Sequence, residues 1–166
     1  MNRKLIQVWL SAAVMAASAG VFAAREEHTF DVFVTIPTPA FYVIPSDSGW
    51  IHREQQLPWK VATSTLGSLR KYFDVKNVAG SIEARLDGRP YLSNGTDADD
   101  IALRVLFNGK LLSEHESGEV VSMTDAAPGK RVLLEVLPMP PADGVYKPGK
   151  YFGSVNMVFN AVLPDA

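Results

Sequence analysis

Apolar and polar positions alternate along most of this chain, which is the period-two signature of half-buried strands. In residues 28–37, Phe30, Val32, Val34 and Ile36 alternate with Thr29, Asp31, Phe33 and Thr35, and Pro37 stops the run. Residues 80–93 read as a strand, an Asp87-Gly88 turn and a second short strand. In residues 100–115 the alternating set is Ile101, Leu103, Val105 and Phe107, closed by Asn108-Gly109. That dipeptide is the favoured two-residue hairpin turn, because both residues accept positive φ. Residues 131–139 form another apolar strand ended by prolines, and residues 149–163 read as one long strand. Its two faces are Tyr151, Gly153, Val155, Met157, Phe159 and Ala161 against Phe152, Ser154, Asn156, Val158, Asn160 and Val162.

Two upstream runs, 39–46 and 56–63, are strand candidates broken by prolines, which places them at edges. Residues 63–77 are ambiguous. Leu66, Leu69 and Phe73 suit one or two helical turns, whereas Gly67 and the β-branched residues oppose a long helix. Turn-rich joints separate the runs at 46–49, 94–100, 125–130 and 138–149. Several short strands at such spacing predict an all-β sandwich of antiparallel sheets.

The first residues follow a different pattern. Arg3 and Lys4 precede a mostly apolar stretch of small residues, and Val21-Phe22-Ala23 supplies a cleavage site. Residues 1–23 therefore read as a secretory signal peptide. A membrane anchor is the weaker alternative, because Gln7 and Ser11 break a short apolar core. The mature chain, about 143 residues from Ala24, suits one domain. Without Arg3 and Lys4 it carries 14 basic side chains against 18 acidic ones, a net charge of −4. That balance offers no basic field for nucleic acid. No second apolar run is long enough to span a bilayer. There is no cysteine, so thiolate metal sites, redox dithiols and cysteine nucleophiles are excluded, although an exported chain could have used disulfides.

Catalytic chemistry finds little support. Carboxylates gather at Asp97, Asp99 and Asp100 and at Glu114, Glu116 and Glu119, but clusters in turns are mostly solvated surface. No serine sits in a nucleophile-elbow pattern. His28, His52 and His115 have no ligand-spaced partners. No cofactor or metal is expected. Asn94-Gly95-Thr96 matches a glycosylation sequon, with a turn as the simpler reading. Trp50 and Trp59 flank a polar stretch. They could form a ligand surface for a sugar or protein, although core packing is the commoner use of large aromatics.

Residues 28–37 allow two readings. One is an ordinary first strand of a sandwich. The other is a strand that completes a neighbouring molecule, since an exposed strand with one apolar face is hazardous unless covered. Extended segments add to open sheet edges through backbone hydrogen bonds, with alternate side chains filling pockets.

Four features in order resemble the major pilins of the CS1 and CFA/I type, which the alternate chaperone–usher pathway of Gram-negative bacteria assembles. They are "FDVFVTIP"; "SIEARL" followed by "YLSNGTDADDIALRVLFNGKLLS"; "RVLLEVLP" with its proline-rich joint; and "PGKYFGSVNMVFNAVL". The resemblance implies a structural major pilin of an adhesive surface fimbria, not an enzyme. It implies an incomplete immunoglobulin-like β-sandwich over 38–166, completed by donor-strand exchange with residues 24–37 of the next identical subunit. Carried onto this chain, the donor positions are Phe30, Val32, Val34 and Ile36, with Pro37 setting the exit angle. The acceptor groove is lined in part by Val155, Met157 and Phe159. A periplasmic chaperone, an outer-membrane usher and a minor tip adhesin are the implied partners. The competing class is a self-complete secreted β-sandwich that binds a carbohydrate or protein through Trp50 and Trp59.

Overall fold

A computed structural model describes residues 40–163. The strands are β1 (Phe41–Pro45), β2 (Trp59–Lys60), β3 (Thr65–Leu66), β4 (Leu69–Asn77), β5 (Ser81–Leu86), β6 (Tyr91–Leu92), β7 (Ile101–Phe107), β8 (Lys110–Leu111) and β9 (Gly118–Val121). A four-residue helix, α1 (Met123–Ala126), separates them from β10 (Lys130–Pro138) and β11 (Met157–Val162). One sheet runs β1-β4-β10-β7-β6, with β8 hairpinned onto β7; a second runs β11-β5-β9; β2 and β3 form a separate ribbon. Every ladder between named strands is antiparallel.

The β1-β4-β10-β7 order is that of strands A, B, E and D of an immunoglobulin-like sandwich, and β5 beside β11 matches strands C and F. The protein is thus an all-β, immunoglobulin-like sandwich. Its core is drawn from alternate positions of both sheets, including Phe73, Val75, Ile82, Val105, Phe107 and Val132. The expected Asn108-Gly109 turn is present, with both residues at positive φ (52° and 75°). The Asn108 amide also donates to the Val120 carbonyl at 2.7 Å, tying the β7–β8 turn to the other sheet.

In residues 63–77, ambiguous from sequence, the structure decides for strand. They hold no helix but contain β4, a nine-residue strand flanked by β1 and β10. Two inward positions of β4 hide the alternation. Lys71 lies over the Trp50 ring at 5.2 Å, a cation–π contact. Asn77 is buried, and its side chain donates to the Ser81 carbonyl at 2.7 Å while accepting from the Ala79 N–H. Asn77 thereby satisfies the polar groups of the crossing between sheets. The 56–63 run shrinks to the two residues of β2. The long final strand is also shorter than expected, with regular pairing only from Met157. Before it, Phe152 makes an isolated bridge to Ser93.

Candidate subunit-binding edge

The run 152–162 has two sets of partners. Phe152 exchanges both backbone hydrogen bonds with Ser93, at 2.9 and 2.8 Å, and the Asn156 carbonyl accepts from the Asp87 N–H at 2.9 Å. From Met157 onward the partner is β5, in the register Met157↔Leu86 to Val162↔Ser81. Even-numbered residues thus turn their main-chain groups toward β5. In a pleated strand the odd-numbered ones turn theirs the opposite way. Among the described residues, no strand pairs with that opposite edge of β11. This is where strand G stands in a seven-stranded immunoglobulin-like sandwich.

Side chains at the same edge are apolar. Val155, Met157 and Phe159 pack against the core yet stay only partly buried. The Phe159 ring lies 4.8 Å from that of Phe107. The structure therefore brings these three expected groove residues onto one core-facing row beside an open backbone edge. The expected donor positions Phe30, Val32, Val34, Ile36 and Pro37 lie outside the described residues.

The two tryptophans diverge. Trp50 packs edge-on against the core residue Phe73, with centroids 5.8 Å apart. Trp59 is 48% exposed and meets Tyr146 edge-on at 5.7 Å. Core packing thus describes Trp50 and fails for Trp59, because the short β2–β3 ribbon holds Trp59 outside both sheets. Trp59 and Tyr146 line a cleft of about 620 Å³ together with Tyr151, Phe152, Leu92 and Ile101. Burial pushes the Tyr146 phenol above its ordinary pKa. Sequence reasoning missed the part played by Tyr146, Tyr151 and Phe152, since the Pro148-Gly149-Lys150 between them signals only a turn.

Most of the other candidates lie in turns and loops. Asp97 to Asp99 form a 3-10 turn. Among the described residues, no group of three His, Asp or Glu side chains is placed to hold a metal. The Asn94 amide is occupied by Asp99 at 3.1 Å and the Tyr151 hydroxyl at 3.3 Å, which supports the turn reading of the sequon. No helix among the described residues is long and apolar enough to cross a membrane.

The family model for the CS1 type fimbrial major subunit matches residues 26–160. The chain belongs to that family. This fimbrial subunit is also similar in fold to the CooA pilin subunit from enterotoxigenic Escherichia coli, with a TM-score of 0.60 and 18% identity over 74% of this chain and 87% of that one. No curated protein matches the chain significantly. The subunit is a structural pilin, and its family builds surface fimbriae from identical subunits. A self-complete binding module is not favoured.

Proposed function

We propose that this pilin polymerises head to tail by donor-strand complementation, with residues 24–37 of one subunit laid along the open edge of β11 in the next. The observation that carries the reading is the combination on one strand of an edge without a partner among the described residues and a half-buried apolar row, Val155, Met157 and Phe159. Phe30, Val32, Val34 and Ile36 supply the matching apolar row at the same period of two. Burying such a side chain stabilises by about 1.5–3 kcal/mol, so the four give roughly 6–12 kcal/mol before ordering costs. A head-to-tail contact does not close on itself and therefore extends into a filament.

Residues 1–23 act as the signal peptide that sends the chain through the periplasm. A periplasmic chaperone covers the open edge in transit, because an unpaired apolar edge invites aggregation. An outer-membrane usher exchanges chaperone for donor strand, and a minor adhesin occupies the fibre tip.

The test compares two chains by sedimentation and thermal unfolding. One is residues 24–166. The other lacks 24–37 at the front and carries them after Ala166 on a short flexible linker. Polymerisation or aggregation of the first, with the second a heat-resistant cooperative monomer, supports donor exchange. A stable monomer from the first and a poorer fold from the second would place the strand in its own domain.

A further inference from the structure

The cleft lined by Trp59 and Tyr146 is contiguous in sequence with the acceptor edge, because Tyr151 and Phe152 line the cleft and Val155, Met157 and Phe159 line the edge. A strand laid on that edge must leave it somewhere, and its geometry says where. Completing an immunoglobulin-like sheet at position G requires a strand antiparallel to β11, and every ladder already present is antiparallel. The donor's inward residues must sit opposite inward residues of β11, since directly opposed side chains share a face. Among registers of that phase, the one that sets Ile36 opposite Val155, the first residue of the half-buried apolar row, sets Phe30, Val32 and Val34 opposite Ala161, Phe159 and Met157. Past Ile36 the chain runs toward the start of the acceptor run, where Tyr151 and Phe152 line the cleft.

We propose that Pro37-Thr38-Pro39 of the incoming subunit seats in this aromatic cleft of the subunit that receives its strand, an inference that rests on the donor-strand reading above. Three observations converge on it. Proline-containing extended segments dock against aromatic-lined grooves, because their backbone is already ordered. The cleft offers such a lining, with Trp59 48% and Phe152 65% exposed. The phase of the prolines also fits. Odd-numbered residues of β11 turn their main-chain groups to the donor, so in this register only even-numbered donor residues donate back. Pro37 and Pro39 are odd-numbered, and their missing N–H groups remove no ladder bond.

The seat has a structural consequence. Pro37-Thr38-Pro39 joins the donor strand to Ala40, just before β1 of its own subunit. Clamping these residues in the neighbour's cleft fixes the angle between successive subunits and stiffens the shaft. The cleft is then an inter-subunit hinge seat and is closed to soluble ligands within a fibre.

The absence of cysteine makes the test clean. Fibres carrying Thr38→Cys with Lys150→Cys, a position on the cleft lining, are treated with a short bismaleimide, boiled in detergent and run on a gel. Thr38→Cys with Gln56→Cys, a second position on the lining, guards against a variant that fails to assemble. Asp31→Cys with Asn160→Cys, opposed in the same register on the outer face, reports the donor strand alone. The expected result is a ladder of covalent multimers from all three pairs. Adding Trp59→Ala and Tyr146→Ala should then reduce the Thr38 ladders several-fold while leaving the Asp31–Asn160 ladder intact. An Asp31–Asn160 ladder without either Thr38 ladder overturns the cleft seat and leaves donor exchange standing. Thr38 ladders that survive loss of both aromatics also overturn it. No ladder from any pair overturns both readings.

Discussion

Phe159 on β11 meets Phe107 on β7 with ring centroids 4.8 Å apart and planes inclined at 57°. Phe107 in turn meets Phe73 at 5.5 Å, and Phe73 meets Trp50 at 5.8 Å. This aromatic series crosses from one sheet to the other and ends at the edge of β11 that pairs with no strand among the described residues. Phe107 is fully buried, so Phe107→Ala should cost about 3–5 kcal/mol. Phe159→Ala should cost less in the isolated subunit, because that ring is only partly buried. Urea unfolding of residues 38–166, which carry no donor strand, measures both. Equal losses would show that Phe159 is covered as completely as Phe107.

Gly80 and Gly153 are required by close approach. A Cβ on Gly80 would collide with the Val162 carbonyl, and one on Gly153 with the Tyr91 carbonyl. Both neighbours are backbone atoms that cannot rotate away. Gly80→Ala and Gly153→Ala should each destabilise by about 1–3 kcal/mol, the usual range for forced overpacking. Gly88→Ala meets no atom within 4 Å but sits at a φ of +97°, so its loss measures backbone strain alone.

A charge on the donor strand should stop assembly without affecting export. On the proposed donor-strand reading, Val34→Asp puts a carboxylate into the apolar row of Val155, Met157 and Phe159, where an unpaired charge is strongly unfavourable. Fibre yield should fall to background while the subunit still reaches the periplasm, as read by immunoblot of periplasmic and surface fractions. Normal fibre yield would remove Val34 from the interface.

The outer face of the larger sheet predicts a modest acid dependence. Arg131 donates two hydrogen bonds to Asp74 across β10 and β4, at 2.8 and 3.0 Å. The Arg131 hydrogen bonds hold the Asp74 carboxyl below its ordinary pKa. A lowered folded-state value means the contribution is complete above the ordinary carboxylate range, near pH 4, and is lost as pH falls through the lowered value. The pair is solvent-exposed, so the effect is small. The Tm difference between the unsubstituted chain and Arg131→Met should be small at pH 7 and vanish at low pH. A difference that grows on acidification would contradict this assignment.

Local pattern determined much of this protein. The alternation at 101–107, the Asn108-Gly109 turn, β10 and the edge position of β1 all follow from side-chain period and turn chemistry, which act over a few residues. Period two put Val155, Met157 and Phe159 on one face, and the family resemblance assigned that face to the groove. Other features depended on partners distant in sequence. β4 was hidden because Lys71 and Asn77 occupy inward positions, tolerable only where Trp50 and the Ser81 carbonyl receive them. The final strand was shortened because Phe152 pairs with Ser93 while Met157 pairs with Leu86. Trp59 left the core because β2 joined a separate ribbon, and its cleft with Tyr146 and Phe152 exists only once the fold draws three remote segments together. Periodicity states which face of a strand is apolar. Only the packed structure decides what that face meets, because burial and pairing are relations between segments that sequence keeps far apart.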